Sequence, residues 1–233
     1  MEDVSEVKDI KIERIGEKEI KGYKGFYNRF IKRVLDLIFA IIFLIILAPI
    51  YIVVSLFIII DNSFPVLYKA ERGGYRGETF KIYKFRTMIK NADKIGGGTT
   101  ALNDTRITKV GHFLRKTKLD EITQLINIIK GEMSFVGPRP ELLKYTSQYS
   151  GTEKYILEVR PGITDYSSIE FINLDEIVGG ENADAIYEKY VLERKNQLRI
   201  KYAATVSLKT DLTLFTTTVL RVFKKAINHI KKR

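Results

Sequence analysis

Two adjacent acids, Asp120 and Glu121, stand where a helix is predicted to begin. Thr117 fits the Ser/Thr-x-x-acid pattern of a helix N-cap, so the pattern predicts that both carboxylates lie in the first turn, at the positive end of the helix dipole. Gly131 is predicted to end this helix. The basic residues that surround the pair in the sequence are Arg106, Lys109, Arg115, Lys116 and Lys118.

This cluster is typical of phosphate chemistry. A helix N-terminus flanked by lysine and arginine binds phosphate groups. Two adjacent carboxylates can hold Mg²⁺, which usually bridges to substrate phosphates, and one of them could instead attack a phosphorus atom covalently. Helix capping alone also accounts for two acids in a first turn, so the residues leave a purely structural role open.

Two rigid segments follow the predicted helix. Pro138 and Pro140 fix the backbone on both sides of Arg139, which is typical of an arginine held for phosphate or carboxylate recognition. The segment 160–164 reads Arg-Pro-Gly-Ile-Thr, and an ordinary type II turn explains it. Three glycines at 96–98 lie in a predicted loop over 89–105, but no strand-glycine-helix frame surrounds them, so a phosphate-cradling role is the weaker interpretation.

Two short strands are predicted upstream of the acid pair, over residues 66–72 and Thr79–Lys84, where polar and apolar residues alternate. Together with the helical patterns, they predict an α/β fold that is mainly helical with short strands. The chain has no cysteine and two histidines, which excludes disulfides, thiolate nucleophiles and cysteine-based metal sites. Its net charge of +11 indicates an anionic partner such as a phosphorylated molecule, an anionic lipid or nucleic acid.

The stretch Leu37–Ile60 holds 24 residues without a charge. As a helix it would be about 36 Å long, enough for the ~30 Å hydrocarbon core of a bilayer. Pro49 predicts a kink near its middle, and both flanks are basic, which favours the cytoplasmic side for each. A tilted single span and a re-entrant helix that returns to the same side therefore both remain open, and a buried helix of a soluble protein is the weaker alternative.

The two ends of the chain have different patterns. Residues 1–20 mix acids and bases without periodicity, which predicts a loose, solvated arm. Asp36 is expected to pair with Lys32 or Arg33 on its own helix. Leu212–Arg233 is an amphipathic helix with an apolar stripe and many cations, typical of a helix lying on an anionic leaflet, although packing on the soluble core would also satisfy the stripe.

Five sequence blocks now appear in an order that resembles the bacterial sugar transferases, the monotopic polyprenyl-phosphate phosphoglycosyl transferases. The resemblance covers residues from about 30 to 224. The blocks are Lys32-Arg33-x-x-Asp36, Phe80 to Met88 (FKIYKFRTM), Arg115 to Glu121 (RKTKLDE), Gln124 to Pro140 (QLINIIKGEMSFVGPRP) and Arg160 to Thr164 (RPGIT).

The resemblance implies transfer of a sugar 1-phosphate from a nucleoside-diphosphate sugar, usually a UDP-sugar, to polyprenyl (undecaprenyl) phosphate, with release of UMP. It assigns Asp120 as the nucleophile that forms a phosphosugar-enzyme intermediate, and Asp120 with Glu121 as the Mg²⁺ ligands. Such a double displacement predicts ping-pong kinetics. A carboxylate at a helix N-terminus is expected to keep a low pKa and stay ionised. The other expected site residues are Lys84, Arg86, Arg115 and Arg139 for phosphates, and Pro138, Pro140 and Arg160 for the nucleotide or its turn.

The resemblance also implies a layout and a location. It predicts a flexible arm over residues 1–28, a re-entrant helix-break-helix over residues 29–62 that bends at Pro49, and a small interfacial catalytic domain over residues 63–233 with amphipathic helices. The expected location is the cytoplasmic face of the bacterial cytoplasmic membrane, at the first membrane step of surface-glycan assembly. No nucleic-acid partner is expected, and a homodimer remains open.

The chain departs from the family pattern after Thr164, where many members continue with Gly and an aromatic or aliphatic residue. Here Asp165 follows, and the segment 165–184 is longer and more acidic than expected. We expect it to shape the sugar or nucleotide pocket, and the sequence does not identify the sugar. The competing hypothesis is a membrane-anchored basic adapter or nucleic-acid binder, which leaves the acid pair and the Pro-Arg-Pro turn unexplained.

Overall fold

The computed structural model of the protein describes residues 14–95, 99–100, 104–179 and 182–231. The three glycines at 96–98 and the first thirteen residues lie outside the described residues, so the predictions for them are not addressed. Within the described part, the protein is mostly helical and carries two small two-stranded sheets. The predicted class, mainly helical with short strands, is confirmed.

The chain enters the fold through three short helical turns, at Glu17–Glu19, Gly22–Lys24 and Tyr27–Ile31. Ile20 is buried in the core, where Ile15 and Tyr23 pack around it. Residues 14–28 thus differ from the predicted loose arm. Their apolar side chains lack helical periodicity but pack in or against the core.

Helix α1 runs from Lys32 to Asn62 and includes the whole apolar stretch. The helix is continuous, with Pro49 inside it, so the proline does not divide it into two separate helices, and the re-entrant bend stays a prediction. A proline removes a single backbone N–H from the helical ladder, and the neighbouring turns on both sides remain helical.

One stripe of α1 packs on the rest of the protein. Ala40, Val54 and Ile58 are buried, and Phe43, Leu47 and Tyr51 are partly buried against the same clusters. The opposite face exposes large apolar side chains along its full length. They are Val34, Ile38, Phe39, Ile41, Ile42, Ile45, Ile46, Ile50, Ile52, Val53, Leu56, Phe57 and Ile60.

Both predicted strands are confirmed and pair as an antiparallel hairpin. Strand β1 (Leu67–Gly73) pairs with β2 (Thr79–Phe85), with Leu67 opposite Phe85 and Gly73 opposite Thr79. The short helix α2 (Ala92–Ile95) follows, and then α3 (Lys109–Thr117). A 3₁₀ helix over Leu119–Gln124 leads directly into α4 (Leu125–Lys130).

A second, parallel pair of strands lies beyond α4. Strand β3 (Ser134–Val136) pairs with β4 (Gly162–Thr164), with Ser134 opposite Gly162. Gly162 therefore begins a strand and does not occupy the predicted type II turn. The remaining helices are α5 (Leu143–Thr146), a 3₁₀ helix (Gly151–Glu158), α6 (Tyr166–Glu170), α7 (Leu174–Val178), α8 (Ala183–Ile186), a π-helical turn (Tyr187–Val191), α9 (Leu192–Thr205) and α10 (Leu208–Lys231).

The core consists of four apolar clusters. Two of them fix α1 against β2, α3 and α4, for example through Ala40 with Ile128 and Val54 with Phe85. A third surrounds Tyr202 of α9, and the fourth gathers Phe171 and other side chains between α5 and α9. The first two clusters matter most for the site, because they hold the hairpin and the acid-bearing segment on one helix.

The predicted ion pair between Asp36 and its neighbours on α1 is wrong. Lys32 instead pairs with Asp211 of α10, which also accepts a hydrogen bond from Tyr27 Oη at 2.8 Å. Asp36 accepts from the backbone N–H of Phe135 at 3.2 Å. These partners lie 99 or more positions away in the chain, so helical spacing could not indicate them.

Candidate active site

The acid pair is positioned by a sharp change of direction after α3. Lys118 adopts a left-handed backbone with φ 60°, which ends α3, and the 3₁₀ helix begins at Leu119. Thr117 is therefore the last residue of a helix and not the predicted N-cap; its hydroxyl donates to the carbonyl of Phe113 at 2.9 Å. Asp120 and Glu121 still lie in a first turn, but of a short 3₁₀ helix.

Strand β2 is fixed to the acid-bearing segment by two buried polar side chains. Asn127 accepts from the N–H of Tyr83 at 3.0 Å and donates to the carbonyl of Lys81 at 2.8 Å. Thr123 donates to the carbonyl of Tyr83 at 2.9 Å. Sequence reasoning missed both residues, although a polar Asn and Thr on the inner face of an apolar helix were a signal for them. Their hydrogen bonds bring Lys84 beside the acids.

Arg139 reaches the same point from the other side. The turn that carries it packs against the segment before β4, and a side chain at Gly137 would have its Cβ only 2.2 Å from the carbonyl oxygen of Arg160. The backbone N–H of Arg139 donates to Asp165 at 3.2 Å, and its guanidinium donates to the carbonyl of Ile163 at 2.9 Å. The guanidinium also pairs with Glu121.

Glu121 is the anionic centre of this arrangement. One of its oxygens, Oε1, accepts from Lys84 Nζ at 2.9 Å and also from Arg139. Burial by itself would raise the pKa of the Glu121 carboxyl, but Arg139 and Lys84 hold that pKa well below its ordinary value. Glu121 is therefore a fixed carboxylate with both cations committed to it.

Asp120 has the opposite electrostatics. Burial, and then the charge of Glu121, raise the pKa of its carboxyl above the ordinary value. This corrects the expectation of a low pKa for that acid, because the 3₁₀ turn buries the side chain to 6% exposure. Among the atoms that the structure describes, Asp120 Oδ1 is buried and has no hydrogen-bond partner. A carboxylate oxygen held in this way is available to a ligand.

The other predicted phosphate-binding arginines have different places. Arg115 borders the same cavity as the acids, and its Nε donates to Thr87 Oγ1 at 2.9 Å. Burial lowers the pKa of its guanidinium. Arg86 also borders the cavity, but one terminal nitrogen donates to the carbonyls of Asn62 and Ser63, where it caps the end of α1. Its Nε and other terminal nitrogen are buried without a partner among the described atoms.

Of the predicted nucleotide or turn residues, only Pro140 borders the cavity of the acid pair. Pro138 lines a separate small cleft. Arg160 donates to the carbonyl of Gly131 at 3.1 Å and lies over the ring of Tyr75, 5.0 Å from its centroid. It thus stabilises the turn that ends α4, where Gly131 has φ 86° as predicted, and the structure does not bring it to the acids.

The cavity extends from the acid pair to the segment after β4. Ser167, Ser168, Phe171 and Asn173 of the predicted 165–184 segment border it. Asp165 itself is fully buried and accepts from Ser167 and Ser168 as well as from Arg139. The unusual segment therefore lies beside the candidate site.

A magnesium ion suits this donor set. Mg²⁺ is usually held by one or two carboxylates together with substrate phosphates, and Asp120 Oδ1 offers a buried, unpartnered carboxylate oxygen next to Glu121. Among the described residues no group of three or more histidine, cysteine or acidic side chains could hold a metal ion, so the substrate would have to supply the remaining ligands.

Comparisons with known proteins agree with the sequence resemblance. The family model described as "Bacterial sugar transferase" matches residues 27–225. The chain is 34% identical over 200 residues to the UDP-glucose:undecaprenyl-phosphate glucose-1-phosphate transferase of Escherichia coli strain K12, a match that covers 84% of this chain and 41% of that protein. The chain thus spans about two fifths of that relative's length.

Two relatives from Bacillus subtilis strain 168 are of more similar size. The putative undecaprenyl-phosphate N-acetylgalactosaminyl 1-phosphate transferase is 43% identical over 119 residues, which covers 51% of this chain and 66% of the relative. An uncharacterized sugar transferase is 34% identical over 193 residues, covering 82% of this chain and 87% of the relative.

Proposed function

The chain belongs to the bacterial sugar transferase family, and on that premise we propose that it transfers a sugar 1-phosphate from a UDP-sugar to undecaprenyl phosphate and releases UMP. The printed names of its relatives support the reaction class, and they name glucose, galactose and N-acetylgalactosamine as the sugars transferred. The acceptor is the same in these names, whereas the sugar differs, so the proposal leaves the sugar undefined.

The observation that carries the proposal is the unpartnered Oδ1 of Asp120. Leaving a buried carboxylate oxygen without a hydrogen bond is costly unless a ligand satisfies it. Asp120 borders a cavity that is also edged by Lys84, Arg115 and Arg139. A carboxylate that faces a cation-lined cavity is suited to a phosphorylated substrate, whereas a basic adapter protein would have no use for it.

In the first step, we propose that an Asp120 carboxylate oxygen attacks the β-phosphorus of the UDP-sugar. The new bond joins this oxygen to phosphorus, the bond from phosphorus to the bridging oxygen breaks, and UMP leaves with the electron pair. The raised pKa of Asp120 fits this role, because a more basic carboxylate is a stronger nucleophile once ionised. Glu121 stays fixed by Lys84 and Arg139 and holds both cations at the reacting phosphates.

In the second step, a phosphate oxygen of undecaprenyl phosphate attacks the phosphorus of the Asp120 acyl phosphate. The bond between the Asp120 oxygen and phosphorus breaks, which restores the carboxylate and yields the undecaprenyl diphosphate sugar. Mg²⁺ held by Asp120 and Glu121 would supply neutralising charge for the diphosphate and the leaving UMP. Lys84, Arg115 and Arg139, which border the cavity, would orient the phosphates.

Helix α1 supports a monotopic arrangement in the membrane. The described chain has one helix long and apolar enough to cross a bilayer, Tyr27–Asn62. Near its start, Arg33 donates to the carbonyl of Ile129 at 2.9 Å, and at its end Asn62 donates to the carbonyl of Met88 at 3.2 Å. Both ends thus contact the catalytic domain, whereas a perpendicular span would separate them by the ~30 Å hydrocarbon layer.

We therefore propose that both ends of α1 stay at one face of the membrane, as the re-entrant prediction requires, with the exposed apolar face in lipid. Helix α10 adds to this surface, because Leu212, Leu220 and Phe223 are more than half exposed on it. The basic flanks of α1 and the net charge of +11 favour the cytoplasmic face. There Asp120 would meet a soluble UDP-sugar and a membrane-embedded acceptor.

The proposed reaction is tested by UMP release in lipid nanodiscs that contain undecaprenyl phosphate, across a panel of UDP-sugars. One sugar should support turnover that chelation of Mg²⁺ abolishes, and Asp120→Asn should lower kcat about a thousandfold or more. Glu71→Gln, which changes an exposed carboxylate of β1, is the matched control and should keep full activity. Undiminished UMP release by Asp120→Asn would refute the nucleophile assignment.

A further inference from the structure

A further cation, Lys195 of α9, borders the cavity of the acid pair. The lysine is only 7% exposed. Its Nζ lies over the ring of Tyr187, 5.0 Å from the centroid. Within the part of the chain that the structure describes, no hydrogen bond or ion pair reaches this ammonium. An ammonium at the wall of a cavity that has three N–H donors and no acceptor among the described residues can donate to a ligand in that cavity.

The two carboxylates whose charges act on Lys195 already accept hydrogen bonds from other residues. Glu141 accepts from Arg199 at 2.9 Å and from Tyr187, and Asp165 accepts from Ser167, Ser168 and Arg139. The charged or titratable groups that face Lys195 are Arg139, Glu141, Asp165, Tyr187 and Arg199. The charges of Glu141 and Asp165 act on Lys195, but neither acid forms an ion pair with it within the described residues, so the ammonium can pair with an anion that enters the cavity.

The cations expected to bind the donor phosphates, in contrast, already form ion pairs and hydrogen bonds within the protein. Lys84 and Arg139 both bind Glu121 Oε1, and Arg139 also donates to the carbonyl of Ile163. A cation that forms no ion pair with a protein carboxylate can therefore strengthen the binding of a diphosphate in this cavity. Arg139 is close enough to Lys195 for its charge to act on that ammonium, so one diphosphate bound at Arg139 lies within the field of both.

We propose that Lys195 binds a phosphate oxygen of the donor's diphosphate, an inference that rests on the proposed function and adds a diphosphate-binding residue to it. The ammonium lies at the wall of the cavity, where it would donate charge-assisted hydrogen bonds to the anion. The contact with Tyr187 would hold the side chain in place while the donor is absent.

The state of Lys195 gives the proposal a pH signature. Burial, and then the charge of Arg199, lower the pKa of the Lys195 ammonium to about 8. Carboxylates ordinarily titrate near pH 4 and guanidiniums above pH 12, and burial raises the pKa of Tyr187 above its ordinary value. Between pH 7 and 9, Lys195 is therefore the group among these neighbours whose proton loss would weaken binding of an anion.

The experiment measures binding of UDP, UMP and uridine to the full chain in nanodiscs by calorimetry. Lys195→Met should weaken UDP binding by about 10- to 100-fold, the effect of one charge-assisted hydrogen bond, and leave uridine binding unchanged. Wild-type affinity for UDP should fall as the pH rises through 8, whereas Lys195→Arg should bind UDP with little change between pH 7 and 9.

Lys201→Met is the matched control. Lys201 is an exposed lysine of the same helix, and its Nζ lies 5.2 Å from the centroid of the Tyr166 ring, so the substitution removes a similar contact outside the cavity. It should leave UDP affinity unchanged.

The proposal is overturned if Lys195→Met binds UDP as tightly as the wild type, or if UDP and uridine lose affinity equally, which would indicate a structural or base contact. Loss of UDP-sugar binding with intact UDP binding would overturn it too and would place Lys195 at the sugar. UMP release by the wild type tests the proposed function separately, since binding of UDP needs no turnover.

Discussion

The two adjacent carboxylates of the site stand in opposite environments although they share one turn. Glu121 has its charge balanced by Lys84 and Arg139, whereas Asp120 is buried with one oxygen free. One acid thus fixes the cations, and the other is available to react. Pairs of titratable groups whose surroundings move their pKa values apart are typical of catalytic sites.

Arg86 offers a test at the scale of the single residue. It caps α1 through the carbonyls of Asn62 and Ser63, so Arg86→Met should lower the free energy of unfolding by about 2 kcal/mol and change UDP affinity less than twofold.

Lys84→Met, which removes one of the two cations bound to Glu121, should weaken UDP-sugar turnover at least about tenfold. Thermal unfolding and steady-state kinetics in nanodiscs measure both effects.

The contrary outcome is equally specific. If Arg86→Met left thermal stability intact and clearly weakened UDP binding, the sequence interpretation of Arg86 as a phosphate ligand would be right. Its two buried nitrogens without a partner would then point to the substrate.

Residue types, spacing and the family resemblance together predicted the members of the site better than their partners. Asp120, Glu121, Lys84 and Arg139 were all expected there, and the structure brings them together. What the sequence could not indicate was that one carboxylate takes both cations, because these contacts join positions 37 and 18 apart on separate elements. The burial that raises the pKa of Asp120 was hidden for the same reason.

At the scale of elements, α1 is the scaffold of the site and, in the arrangement proposed above, also the membrane element. Its buried stripe holds β2, α3 and α4, and its opposite face exposes apolar side chains along the full helix. A change in how α1 lies in the membrane would therefore move the acid pair relative to the lipid surface. One face of α1 packs on the catalytic domain, and the opposite face is apolar and exposed.

Single-cysteine labelling tests this arrangement, and the chain contains no native cysteine to interfere. Lys21→Cys and Glu71→Cys, exposed positions on either side of α1, should both react with a membrane-impermeant maleimide from the cytoplasmic side. Ile46→Cys, on the exposed apolar face, should react from neither side because it lies in lipid. Inside-out vesicles and intact spheroplasts supply the two orientations.

Labelling of positions 21 and 71 from opposite sides would contradict a monotopic arrangement and restore the single span. The sequence left these two arrangements open, since length and charge fit both. The contacts at both ends of α1 favour the monotopic one.

Local patterns predicted some elements and failed for others. The alternation over Thr79–Lys84 and the left-handed glycine at Gly131 are confirmed. The predicted N-cap at Thr117 is wrong, because the left-handed Lys118 ends α3 and starts a new turn. Pro49 does not divide α1 into two helices, since a proline removes one helical hydrogen bond and need not end a helix that packs on both sides of it.

At the scale of the whole molecule, the structure joins a water-accessible cavity to an apolar surface. The acid pair borders the cavity, and α1 and α10 expose apolar faces that we propose contact lipid. The excess of positive charge matches the anionic substrates and the anionic leaflet at once. This layout fits an enzyme that must combine a soluble donor with a lipid acceptor.

The family, and with it the reaction class, could be predicted from ordered sequence blocks, whereas the sugar could not. The segment that begins at Asp165 departs from the family pattern, and its residues border the cavity. Donor preference depends on how such side chains meet the substrate in three dimensions, which no single block of sequence specifies.

The most direct test of the account is intact-protein mass spectrometry after incubation with the active UDP-sugar and Mg²⁺ but without acceptor. The account predicts that the protein gains one sugar phosphate less one water, that the modification maps to Asp120, and that undecaprenyl phosphate removes it. Asp120→Asn should show no such gain. Turnover without any covalent adduct, or an adduct on another residue, would contradict the proposed double displacement at Asp120.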